Sequence, residues 1–594
     1  MNMKAFALTV LMMTSLLSAG PQQTGNGSVE GMVVRLGTVD PIAGVNIEMR
    51  RVEGTAASPL LPPVFPGGYF SPGATVIPNA PNPADAFYAT TSSDGAFRFL
   101  NLKPGKYRLL AAHPDGTYYP AEYGQRNPRG PGYEFNIDSS SSMKVRLEMA
   151  PMASVSGHVT GADGKPAAHI HVLAAEIAYP NGARVLNQVQ GVETDERGNY
   201  RLFWLPPGKY YIGAFPEGVR RRQIAVPFGP PASLESVNQF FSQPLIQYRS
   251  GSDGEVLRDV YDIVYSPGHS DPDAANVIDL RLGSNINGVD ISLASGRKRS
   301  VRIRGVVMDS SGQPVKSASV QAVPRVAGPV TFSSTTTTES NGVFEVDGLM
   351  QGNYLVTASF MVNNVRQTAV RNITVEGSDI ENVNLVATAN FRLTGHITID
   401  GTDTDAYRVG LSNESFGAAS YSNGNSPGSQ FSINGISPGN YRVTFAPFSG
   451  ASEPATYVKS VRFGSVESIS GILQIDSSSS GQLEISLGRN GAIAAGRVLD
   501  AQRQPAPNVM VVLVPTDSQR ADLFKTVLTD LVGNFRIQGI APGPYLVFAW
   551  PWLQNGIWRN PEFYRTVEAR GTRLTTSEGT SSNLELTLLP EVNF

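Results

Sequence analysis

The chain reads as an all-β protein: five tandem β-sandwiches following an N-terminal signal peptide. Three observations predict this. Glycine and proline are abundant, at 60 and 42 of 594 residues, and only 16% of residues are charged. Hydrophobic residues, at 41%, can support real cores and fall in short alternating runs bounded by turn residues. One motif with constant internal spacing returns five times, the mark of a repeat architecture. The same profile argues against a coiled coil, a helix bundle and a disordered chain.

The first element is a targeting segment. Lys4 precedes an apolar run over 5–17, and the small residues Ser18, Ala19 and Gly20 follow. This is the order of an export signal, expected over 1–20, and the run is too short to span a bilayer. No later stretch reaches 18 apolar residues, so no transmembrane helix is expected in the mature chain. There is no cysteine. The export route that lipidates a cysteine is therefore excluded, and the cores must hold without disulfides. The periplasm, the cell surface or the exterior is the expected location.

The repeat comes next. Its copies run from Asp94-Gly95-Ala96-Phe97 to Pro104-Gly105-Lys106-Tyr107, and from Gly198-Asn199-Tyr200 to Pro207-Gly208-Lys209-Tyr210. The third runs from Gly342-Val343-Phe344 to Gln351-Gly352-Asn353-Tyr354, and the fourth from Gln430-Phe431 to Pro438-Gly439-Asn440-Tyr441. The fifth runs from Gly533-Asn534-Phe535 to Pro542-Gly543-Pro544-Tyr545. The leading Gly suits a positive φ at the start of a strand. Phe97 and Phe99, two apart, face one side of that strand. Pro-Gly fits a type II turn, so a hairpin is expected, with the Tyr opening its second strand. Copy three has Gln351 in place of the Pro, and copy four has Ser429 in place of the Gly.

An upstream half accompanies the motif. Gly157-His158-Val159 leads through Gly164-Lys165-Pro166 to Ile170 and Val172, and Gly305-Val306-Val307 leads through Gly312-Gln313-Pro314 to Val320. Alternating runs such as Val145-Arg146-Leu147-Glu148-Met149 close each copy. Six or seven short strands per copy make a sandwich. The closing strands place the domains at 26–150, 151–296 with a long loop insertion, 297–389, 390–490 and 491–594, arranged like beads with short joints.

These motifs resemble the carboxypeptidase regulatory-like domain, clearly in copies one, two, three and five and more weakly in four. The resemblance implies a transthyretin-like (prealbumin-like, Ig-like) sandwich, grouped with carbohydrate-binding-like folds, and a bacterial, secreted, tandem protein. The family is named for an accessory domain, so it implies no peptidase. The collagen-adhesin B-type domain is the nearest competitor. Its Lys–Asn isopeptide bonds are not expected here, because the first strands of copies one, four and five lack a Lys.

Little in the sequence points to catalysis. The net charge of −3 gives no basic field for nucleic acid, and the runs at 220–222 and 297–299 read as a solvated loop and a linker. None of the six His begins a His-Glu-x-x-His site. Gly424-Asn425-Ser426-Pro427-Gly428 matches Gly-x-Ser-x-Gly, but no His follows residue 396 to complete a triad in the usual order. No catalytic residue, cofactor or metal is expected. A metal would need His158, His169 and His171 to converge, with His169 and His171 sharing a strand face. The plainer reading is three residues on a solvated sheet.

Aromatic loops are the better lead. Trp550, Trp552, Trp558 and Tyr564 follow the fifth motif, and Tyr118, Tyr119 and Tyr123 follow the first. A Pro-rich insert over 54–87 adds Phe65, Tyr69 and Phe70. Aromatic faces at a sandwich end can stack on sugar rings, or they can cap the sandwich and fill joints between domains. The expected function is non-catalytic binding or adhesion, with a polysaccharide or other envelope glycan as partner. The alternative is a spacer or assembly module that meets another envelope protein.

Overall fold

The computed structural model describes residues 27–52, 86–125, 132–179, 182–216, 223–227, 236–242, 245–250, 256–325, 330–362, 365–404, 407–413, 419–421, 430–447, 455–468, 472–475, 481–517, 520–554 and 556–591. The signal segment, Ser429, the run at 220–222 and nearly all of the Pro-rich insert lie outside them. Five hydrophobic cores follow one another along the chain. They draw on 29–149, 153–293, 301–387, 393–487 and 492–586. Each core lies between two sheets, and we call each such sandwich a unit.

One frame recurs. The first sheet is built on Gly27–Arg35, Ala153–Thr160, Val301–Met308, Phe391–Ile399 or Ala492–Leu499. This strand pairs antiparallel with the first strand of the repeated motif and parallel with the closing strand. At the centre of each stands a glycine in register with the motif aromatic: Gly31 with Phe97, Gly157 with Tyr200, Gly305 with Phe344, Gly395 with Phe431, and Gly496 with Phe535. A Cβ at Gly305 would collide with the Val383 carbonyl and crowd the Phe344 ring. The glycine leaves the space that the aromatic fills.

The motif does not fold as a hairpin. Its two strands lie in different sheets, so the chain crosses the sandwich between them: Ala96–Leu102 belongs to one sheet and Gly105–Ala112 to the other. The expected type II turn is also absent. Gly105, Gly352, Gly439 and Gly543 have φ of 151–158°, close to extended. The left-handed residue falls four places after the aromatic instead, at Asn101, Trp204, Gly348, Gly435 and Gly539. There the ladder to the central strand shifts register, so a bulge turns the chain across. The motif Tyr fastens this arch. Its hydroxyl donates to the backbone carbonyl four residues upstream in four units: Tyr107 to Lys103 (2.8 Å), Tyr210 to Pro206 (2.8 Å), Tyr441 to Ser437 (2.8 Å) and Tyr545 to Ala541 (2.9 Å). In the third unit Tyr354 accepts from the Met350 amide (3.0 Å). Burial pushes the Tyr545 hydroxyl up to about 12.

Other expectations hold. Gly95, Gly198, Gly342 and Gly533 have φ of 75–78° at the strand start. Phe97, Phe99, Tyr107 and Leu109 share the first core. The run Arg297–Arg299, expected as linker, is a short exposed strand paired with Val256–Tyr261.

The units are not beads. The outer face of the second unit's larger sheet, with Leu173, Tyr211 and Phe215, is buried against Phe332 of the third. Between the fourth and fifth units, Lys459 sits 2.8 Å from Asp400 and 3.0 Å from Glu578, which also accepts from the Tyr457 hydroxyl. These two carboxylates hold the Lys459 ammonium well above its usual range, so the contact is an ion pair. The fifth unit also reaches back to the first and second.

Candidate functional site

The C-terminal aromatic segment is built from strand alternation. In Gly543–Trp550, Tyr545, Val547 and Ala549 enter the core, leaving Leu546, Phe548 and Trp550 on the outer face. They stand in register with Val514, Val512 and Met510 of Met510–Pro515, so this outer face is apolar. Residues 553–554 and 556–567 fold over it. Asn560 caps the short helix Pro561–Val567, its side-chain oxygen accepting from the Glu562 and Phe563 amides at 3.0 Å each. The helix presents Phe563 and Val567 to Trp550.

Trp550 is therefore 1% exposed, stacked on Phe548 at 5.1 Å, and Trp558 is 4% exposed. Tyr179 of the second unit joins the same cluster. Gln554 donates to the Ile177 carbonyl, and the Asn560 amide donates to the Gly182 carbonyl at 2.9 Å. Gly182 (φ 83°) lies so close to Arg559 that a Cβ there would strike its backbone. Arg559 in turn covers the Phe524 ring at 5.5 Å. Two of the expected ligand-binding tryptophans, Trp550 and Trp558, thus belong to a joint between two units distant in sequence. The indole N–H groups of Trp550 and Trp558 have no hydrogen-bond partner among the described residues. Trp552 and Tyr564 remain half-buried.

In the first unit, Tyr118, Tyr119 and Tyr123 are also half-buried. Tyr118 packs on the core and lies 5.7 Å from the His113 ring. Tyr123 meets Phe135 edge-on at 5.5 Å. The neighbouring Gly124 carbonyl accepts from Asn508 of the fifth unit at 3.0 Å. Asn508 lies two residues before the strand Met510–Pro515, so both aromatic segments meet the same part of the fifth unit.

The three histidines do not share a face. His169 lies before Ile170–Ala178, at φ 56°, and reaches Glu196 at 3.1 Å. The loop needs a left-handed residue there, as it does at Ser317 and Asn508 in the equivalent places. His171 is on the strand but buried, 5.0 Å from Phe215. His158 lies near Asn199. Among the described residues, no three His, Cys, Asp or Glu are grouped to hold a metal. Ile170 and Val172 do enter the core.

Three of the carboxylates with lowered pKa, Asp94, Asp195 and Asp309, sit in turns. Asp94 is lowered first by the Ser92 hydroxyl, Asp195 by the Asn199 amide and Asp309 by the Ser311 hydroxyl. The sequence reading missed Tyr179, Gln554 and Asn560. Asn560-Pro561 carries a helix-start signal, whereas nothing local marks Tyr179 as a partner of residues more than 370 positions away. Among the described residues, no helix is long and apolar enough to cross a membrane.

No curated protein matches the chain. Among solved structures, the minor pilin of Streptococcus agalactiae is 15% identical, with 45% of this chain and 94% of that one covered and a TM-score of 0.21. A streptococcal ancillary pilin is 10% identical over 61% and 99%, with a TM-score of 0.18. A putative carbohydrate binding protein of Pseudomonas aeruginosa is 20% identical over 15% and 88%, with a TM-score of 0.11. The third sandwich, over 302–388, matches the family model of the carboxypeptidase regulatory-like domain.

Proposed function

We propose that this is an exported, non-catalytic protein of the bacterial envelope, a multi-unit scaffold for assembly or adhesion at the cell surface. The observation that carries this reading is the joint between the second and fifth units. Aromatic residues suited to a binding loop are spent on holding units together, which is the investment of a scaffold that must keep its shape. The titratable groups of these joints serve the same end: Lys459, Asp400 and Glu578 form ion pairs between the fourth and fifth units.

The test is co-sedimentation of the mature chain, from about residue 21, with isolated bacterial envelopes. Retention that survives high salt is expected, and a chain left wholly in the supernatant would sink the reading. Glycan stacking on the half-buried Trp552, Tyr118, Tyr119, Tyr123 and Tyr564 is a second reading, favoured by their partial exposure. It requires that Trp552→Ala weaken retention on polysaccharide without lowering the melting temperature. For Trp558→Ala, both readings expect loss of stability, because that ring is sealed in the joint.

A further inference from the structure

The outer face of the third unit's larger sheet differs from those of the second and fifth. In the second unit that face is apolar and covered by Phe332, and in the fifth it is apolar and covered by Leu553, Trp558 and the helix Pro561–Val567. In the third, Val320, Ala322, Val356, Ala358 and Ala369 turn into the core. Their neighbours along each strand therefore turn outward. Reading across the sheet, Thr337 is opposite Ser319, Ser319 opposite Ser359, Ser359 opposite Thr368, and Thr368 opposite Thr388. One row thus crosses all five strands, and every member carries a hydroxyl. The adjacent row reads Thr335, Gln321, Thr357, Val370. Thr337 and Ser319 are exposed, and Ser359, Thr368 and Thr388 are partly exposed. None of these five hydroxyls bonds to another group among the described residues.

We propose that this face is the docking surface for a neutral polysaccharide, which rests on the adhesion reading above and names its ligand class and site. Strand spacing sets the five hydroxyls about 4.8 Å apart, so the row runs roughly 19 Å. Each hydroxyl both donates and accepts, as do the hydroxyls of a sugar polymer. A single such bond merely replaces one with water, so affinity needs many at once. A regular row facing a regular polymer supplies them. Both rows are uncharged. The unit's ion-paired arginines and carboxylates, Arg302, Arg304, Glu345, Asp379 and Glu381, lie at its other sheet, whereas on this face the exposed Arg366 borders the row beside Thr368. Neither row holds an aromatic or arginine anchor of the kind that dominates protein interfaces.

The experiment is retention of the full mature chain on microcrystalline cellulose, insoluble β-1,3-glucan and chitin, with alginate as the charged control. Retention on at least one neutral polymer is expected. It should fall at least tenfold when Ser319→Ala, Thr337→Val, Ser359→Ala and Thr368→Val are combined, and stay unchanged in Lys165→Ala, an exposed lysine of the second unit. Should the combined variant misfold, Thr337→Glu on the edge strand is the second probe, with the same tenfold loss expected. Equal retention of a folded variant and wild type overturns the proposal. So does a sedimentation profile in which the row mediates self-association of two copies. Retention on envelopes but on no neutral polymer removes this inference and leaves the broader reading standing, whereas retention on neither removes both.

Discussion

Gly305 and Phe344 lie 39 positions apart in the chain and face each other across a ladder, one lacking the atoms that the other would displace. The same pair recurs in all five units. Gly305→Ala should cost about 2–3 kcal/mol, because the new methyl meets a backbone carbonyl that cannot retreat. Urea unfolding of that mutant, followed by Tyr fluorescence, checks this, and an unchanged midpoint would remove the explanation. The aromatic, the Tyr and their ten-residue spacing were legible in the sequence. Their roles were less so: a Tyr that opens a strand and a Tyr that ties down an arch leave the same trace. The turn carboxylates carry a pH dependence. Hydrogen bonds hold Asp94, Asp195 and Asp309 below the ordinary carboxylate value in the folded chain. Their contribution is therefore full above the unfolded pKa, about 3.9, and is lost as pH falls through the lower folded value. The denaturation midpoint should be flat from neutrality to about pH 5 and drop below about pH 4. Asp195→Asn should blunt that drop, which a denaturation series across pH would show.

At the scale of elements, alternation predicted the strands and their buried faces well, since burial on one side leaves a period of two in the sequence. It could not say which strands pair. The motif's two strands look like a hairpin because they are adjacent and short-linked, yet Asn101 in the left-handed region sends the second into the opposite sheet. Strand-period reading also passed over the helix Pro561–Val567, which is only seven residues long. Its cap does double duty: Asn560 caps the helix N-terminus with its oxygen and holds Gly182 with its nitrogen. Asn560→Ala should cost about 1–2 kcal/mol of the fifth unit's stability. It should also speed hydrogen exchange at the Glu562 and Phe563 amides. Asn560→Asp keeps the acceptor and loses the donor, so it should restore the cap while leaving the joint weakened.

At the scale of the molecule, composition and the tandem β-sandwich class were legible, and the closure of the chain was not. Contacts between the second and fifth units depend on Tyr179 and Gly182, neither of which belongs to the repeated motif. Tyr179→Ala together with Gln554→Ala should raise the radius of gyration in small-angle scattering without loss of β circular dichroism. The joint also has a mechanical meaning. Tension applied between the two ends of the chain passes from the first and second units straight into the fifth, and the third and fourth hang on a slack side path. Stretching should first break the joint in a single low-force step that releases the folded length of two sandwiches, before any unit unravels. Relaxation should let Tyr179 reseat, making the chain a reusable shock absorber whose reserve of extension costs no unfolding.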